Sequence, residues 1–122
     1  MTTRTGTRPS QGDIVLIPIP FTNLASRKRR PVIVISNDAY NRAFADIVVV
    51  AMTSSPFPGP YTVPITSADL EDGRLNRPGM VRADKIYTLS QGIVVKTFGR
   101  VKQEFLDRIR ASLALLTAGG SG

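Results

Sequence analysis

Short apolar runs bounded by turn-forming residues recur along the chain, and that is the pattern of β-strands. The first is Gly12 to Ile19, where Pro18 and Pro20 either confine the strand to a sheet edge or end it early. Pro31 to Ser36 and Asp46 to Thr53 are nearly continuous in Val and Ile, so both are expected at a sheet centre or buried on two faces. Tyr61 to Ile65, Gly79 to Leu89 and Gly92 to Val101 bring the count to about six strands. One segment has a helical period instead. At 100° per residue, Val101, Phe105, Leu106, Ile109, Leu113 and Leu116 fall within an arc of about 140°, which predicts a C-terminal amphipathic helix.

The connections differ in length. Phe21 to Arg30 is a polar and basic loop longer than a hairpin needs, and so a candidate functional loop. Ser54 to Pro60 is a Pro-stiffened turn, Ser67 to Pro78 is a second substantial loop, and Ser90-Gln91-Gly92 reads as a tight hairpin turn. The expected organisation is a flexible segment 1–11, one folded domain 12–117 and a flexible tail 118–122 that could also be a cloning remnant. No internal repeat is visible. The class is mainly β, with one helix closing a small sheet.

Composition then narrows the chemistry. The chain has 122 residues, 16 Lys+Arg against 9 Asp+Glu, a net charge of +7, and neither Cys nor His. Its length suffices for a hydrophobic core without disulfides or a structural metal. A zinc finger, a His-based metal site, a Ser-His-Asp triad and a Cys nucleophile are excluded. The basic excess favours a polyanionic partner, either nucleic acid or an anionic membrane. No stretch reaches the roughly 18 apolar residues of a membrane span, and the first ten lack a signal-peptide core, so a cytoplasmic protein is expected.

Two clusters are candidates for chemistry. Arg27-Lys28-Arg29-Arg30 precedes Pro31, and four adjacent cations are either a solvated basic turn or a site for an anionic partner. Pro31 biases Arg30 to an extended conformation at the start of a buried strand, where a fixed guanidinium can contact phosphate oxygens through two hydrogen bonds. Thr53-Ser54-Ser55 leaves a buried strand just before a stiff turn. Its hydroxyls either bind phosphate or ribose oxygens or merely cap the strand end.

Taken in order, Gly12-Asp13-Ile14-Val15-Leu16, Pro20-Phe21-Thr22, Arg29-Arg30-Pro31-Val32-Ile33-Val34-Ile35-Ser36 and Val48-Val49-Val50-Ala51-Met52-Thr53-Ser54 resemble the MazF/PemK family of toxin endoribonucleases. The likeness continues through Pro78-Gly79-Met80-Val81-Arg82-Ala83-Asp84-Lys85-Ile86-Tyr87-Thr88 and Leu113-Ala114-Leu115-Leu116, and so covers residues 12 to 116. It implies an SH3-like small β-barrel that forms a homodimer, cleaves single-stranded RNA sequence-selectively without a cofactor or metal, and is neutralised by an acidic antitoxin with a disordered tail. It also implies Arg30 and Thr53 as the catalytic pair. The reaction suits the composition, because attack of the ribose 2′-OH on the adjacent phosphate needs no protein nucleophile and yields a 2′,3′-cyclic phosphate and a 5′-OH. The protein supplies in-line orientation and charge stabilisation.

Ser54, Arg27, Lys28, Arg29, Phe21, Asp84 and Lys85 are the expected substrate-binding residues. Arg is a poor proton acceptor, and Thr22 to Arg30 contains no acid, so the general base stays unassigned. Asp13 is better read as structural, fixing the first turn. Phe21 and Tyr87 either stack bases or belong to the core. Arg74, Arg77 and Arg82 either extend a positive groove or are offset by Asp69, Glu71 and Asp72. Two alternatives accompany the nuclease reading: a catalytically silent SH3-like module that binds nucleic acid or an acidic peptide, and a gyrase-directed toxin of similar fold.

Overall fold

The computed structural model describes residues 8–18, 29–56 and 58–120. Seven strands form one antiparallel sheet: β1 (Asp13–Pro18), β2 (Arg29–Val34), β3 (Asp46–Thr53), β4 (Thr62–Ile65), β5 (Leu70–Asp72), β6 (Gly79–Ser90) and β7 (Lys96–Val101). Their order is β4-β6-β3-β2-β1-β7-β5. The mainly β architecture with a C-terminal helix is therefore the observed one, and all six anticipated strands form. The additional strand, β5, lies inside the expected 67–78 loop and pairs with β7.

The runs rich in Val and Ile occupy the middle of the sheet because they have two faces to bury. On β1, β2 and β3, Ile14, Ile33, Val50 and Met52 enter one core cluster, while Val15, Ile17, Val32, Val34, Ile47 and Val49 enter another. Successive side chains of a strand point to opposite faces, so a run apolar at every position can fill both clusters at once. β1 lies between β2 and β7 and so is not an edge strand; Pro18 is its last described residue, and Pro20 lies outside the described residues.

Helix α2 (Gln103–Thr117) closes the first cluster with Phe105, Leu106 and Ile109, all buried, and with Leu113 packed beside them. Val101 faces the same cluster as the last residue of β7, so the apolar stripe begins one element before the helix does. Arg108 anchors α2 to the 3₁₀ turn Ser67–Asp69 through a 3.0 Å bond to Asp69.

Two local expectations are corrected. Ser90-Gln91-Gly92 is not a hairpin turn: it opens a 3₁₀ turn over Gln91–Ile93, and β7 then runs beside β1 and β5 instead of β6. The Gln91 amide donates to the carbonyls of Asn41, Phe44 and Asp46, and Val95 N–H donates to Leu16 O, so the chain is drawn across to β1. The C-terminal helix is also not the only one. Helix α1 (Asp38–Ala43) is too short to show a period and is set by its cap, where Asn37 Oδ1 accepts from Tyr40 N–H at 2.8 Å.

The buried polar groups explain how the N-terminal side is held. Asp13, 1% exposed, accepts from Ser10 N–H at 2.8 Å and from Arg100 Nε at 3.0 Å, the structural role expected for it. Buried Asn41 donates to Ser36 O and Pro9 O and accepts from Ser36 Oγ. Arg8 and Gln11, within the segment expected to be flexible, hydrogen-bond to Asn41 O and to Ile35 O.

Candidate nucleic-acid groove

The ladder between β2 and β3 decides which side chains meet. Val32 lies opposite Ala51, Ile33 opposite Val50 and Val34 opposite Val49. The ladder stops there, and Arg30 and Thr53 lie two residues beyond it, at the neighbouring ends of β2 and β3. On its other side Arg30 is paired with Ile17 of β1. The guanidinium therefore stands on a strand that β1 supports along this stretch, with β3 joining from Val32 onward.

Thr53 ends β3, and its Oγ1 accepts from Ser55 N–H at 3.1 Å. With that lone pair engaged, the hydroxyl proton is left to donate outward. Gly79, the first residue of β6, packs against the Thr53 backbone so tightly that a Cβ there would stand 2.9 Å from Thr53 O. Only a residue without a side chain lets the following strand begin at that place.

Over these strand ends lies a groove of about 550 Å³ lined by Arg29, Arg30, Thr53 and Ser54 on one side and by the 74–79 segment on the other. Pro31, Met52, Leu75 and Phe98 add apolar surface. Among the described residues that line it, four are arginines, at 29, 30, 74 and 77, and none is acidic. Among the described residues, none of these four guanidiniums is held by a carboxylate. A cleft that gathers positive charge without internal partners is matched to a polyanion.

Of the residues expected to bind substrate, Arg29, Arg30, Thr53 and Ser54 are brought together here. Asp84 and Lys85 are not among the lining. Opposite the adjacent residues Val50 and Ala51, the pairing on β6 steps from Ile86 to Arg82, so residues 83–85 form a bulge that bends the strand. Asp84 is gripped there by Arg82 through two bonds of 2.8 and 2.7 Å. The hydrogen bonds from Arg82 hold the Asp84 carboxyl below the usual carboxylate range, and those to Asp84 raise the guanidinium above its own. Tyr87 packs against the second core cluster. Phe21, Arg27 and Lys28 lie outside the described residues.

Leu75, Asn76 and Phe98 also line the groove, and no motif in the sequence marks them as functional. Asn76 falls within the loop expected over Ser67 to Pro78, and nothing in the sequence joins that loop to Arg30. Asp69 pairs with Arg108 instead of offsetting Arg74 or Arg77.

Three solved structures are similar over most of their length. An endoribonuclease in complex with its cognate antitoxin from a mycobacterial species matches with a TM-score of 0.74 at 25% identity, covering 92% of this chain and 99% of that one. An endoribonuclease from a mycobacterial species matches with a TM-score of 0.69 at 28% identity, covering 88% of each chain. MazF in the MazE-MazF complex of Deinococcus radiodurans shares the fold, with a TM-score of 0.72 at 22% identity over 93% of this chain and 98% of that one. No curated protein sequence matches the chain. The sequence profile of the PemK-like, MazF-like toxins of type II toxin-antitoxin systems spans residues 10–117, nearly the whole of the sheet and both helices, and the chain belongs to that family.

Proposed function

We propose that the chain is the endoribonuclease toxin of its pair, cutting single-stranded RNA in the arginine-lined groove. The observation that carries this reading is Arg30 and Thr53 together in the lining of one cleft that holds four arginines and, among the described residues, no acid. The similar mycobacterial proteins are named as endoribonucleases, which supports the same activity here.

In the reaction, the ribose 2′-oxygen forms a bond to the adjacent phosphorus while the bond to the 5′-oxygen breaks, leaving a 2′,3′-cyclic phosphate and a 5′-OH. Arg30 holds the non-bridging oxygens as their charge grows, and Thr53 and Ser54 donate hydrogen bonds to the same phosphate. The arginines supply this charge stabilisation from the protein itself, where a hard cation would need oxygen ligands that the groove's side chains do not provide as carboxylates. Among the described lining residues Arg is the only titratable type, and in this reading solvent accepts the proton of the 2′-OH and supplies one to the 5′-oxygen.

The same charge makes the groove a receptor for an acidic antitoxin segment that excludes RNA by occupying it. We also propose that the protein acts in the cytoplasm, where such a substrate is met. We further propose a homodimer, for which Ile86, Ile93 and Val95 are exposed apolar side chains available to a partner copy.

The test is incubation of the purified protein with single-stranded RNA in EDTA, followed by sequencing of 5′-OH ends. Cleavage is expected for the wild type. In Arg30→Ala it is expected to fall by roughly 10²–10³-fold, the usual effect of removing one donor to a developing oxyanion, with the thermal transition retained. Intact RNA after incubation with folded wild-type protein would overturn the proposal and leave a module that binds RNA without cutting it.

A further inference from the structure

The segment from Gly73 to Gly79 is a pinned arch. At its start Gly73 has φ +84°, and a Cβ there would stand 2.5 Å from Phe98 O and 3.0 Å from Gly99 Cα, so the chain lies directly on the backbone of β7. At its end Gly79 lies on Thr53 O. Between them, Leu75 N–H donates to Ser67 Oγ at 2.8 Å, the Ser67 hydroxyl donates back to Leu75 O at 3.2 Å, and the Leu75 side chain packs against the first core cluster. Three attachments in seven residues leave the arch little freedom.

The next residue, Asn76, is exposed and lines the groove between Arg74 and Arg77. Its amide makes no hydrogen bond to any described residue. An amide offers a donor and an acceptor side by side, which suits the edge of an unstacked base, whereas a guanidinium flanking it suits a phosphate. An amide on a pinned arch also loses less conformational freedom when it pairs than one on a free loop.

We propose that this arch is the base-reading wall of the groove. Asn76 pairs with the edge of a base next to the scissile phosphate, and Arg74 and Arg77 hold neighbouring phosphates regardless of sequence. The inference rests on the groove being the RNA site described above, and the experiment separates the two.

A pool of RNAs with randomised sequence is digested with wild type, Asn76→Ala, Asn76→Asp and Arg77→Ala, and the cut ends are sequenced. The same pool carrying 2′-deoxyriboses, which cannot be cut, is also selected for binding. Asn76→Ala is expected to flatten the preference at one position by roughly tenfold or more. Asn76→Asp, which replaces the amide donor with an acceptor, is expected to shift that position toward bases presenting donors. Arg77→Ala weakens all sequences alike. Wild-type cleavage with a preference unchanged in both Asn76 variants overturns the inference and leaves the nuclease reading standing. An uncut pool overturns the nuclease reading; the binding selection then decides the inference, since a binding preference unaltered by Asn76→Ala overturns it and an altered one supports it.

Discussion

The salt dependence of RNA binding follows from counting charges in the groove. Each phosphate neutralised on a single strand releases condensed counterions, and log K falls against log salt with a slope of about −0.7 per phosphate. With Arg29, Arg30, Arg74 and Arg77 each engaging one phosphate, the slope is about −2.8, so raising salt fourfold weakens binding by about 50-fold. Removing one guanidinium in Arg77→Gln brings the slope to about −2.1 and the same fourfold change to about 18-fold. Arg27 and Lys28, on the same side in sequence, can only steepen the wild-type value. Fluorescence anisotropy of a labelled oligonucleotide carrying 2′-deoxyribose at the cut position measures this without cleavage. The ratio between the two proteins matters more than either absolute affinity, because it isolates one contact. A wild-type slope shallower than about −1.5, or an Arg77→Gln slope equal to the wild type's, would refute the reasoning that these arginines act together on one strand.

Gly79→Ala places a methyl 2.9 Å from Thr53 O, which must move, so RNA cleavage is expected to fall together with a lower melting temperature in calorimetry. Phe105→Ala empties the centre of the first core cluster at a cost of about 3–5 kcal/mol. For a chain of 122 residues that is a fall of roughly 12–20 °C in melting temperature, and a fall under about 5 °C would show that α2 is not integral to the core. The Arg82–Asp84 pair gives a sign in pH. Because Asp84 titrates lower in the folded protein than in the unfolded chain, its contribution to stability is present above the unfolded value of about 3.9. That contribution disappears as pH falls through the lower folded value. Melting curves of wild type and Asp84→Asn are therefore expected to differ at neutral pH and to converge in acid, and a constant difference would exclude the pair as the cause.

Patterns that depend on near neighbours in the chain were legible in the sequence. Alternation and apolar runs marked every long strand, because a strand must present its side chains to one or both buried faces whatever its partners are. The period of α2 was equally plain, since Phe105, Leu106 and Ile109 need one common face to reach the core. Arg30 and Thr53 could be singled out by what flanks them, a proline and a stiff turn. What the sequence could not supply was pairing. That Arg30 and Thr53 line one groove depends on the pairing of β2 with β3. That residues 90–92 turn away from β6 depends on hydrogen bonds to carbonyls some 45 residues earlier. The opposite wall of the groove is the clearest case. Leu75, Asn76 and Phe98 join Arg30 there only because β5 and β7 continue the sheet beyond β1 and carry the 73–79 arch back over the strand ends. Short-range preference shapes each element, but a site assembled from four separate segments exists only after the sheet has brought their ends together.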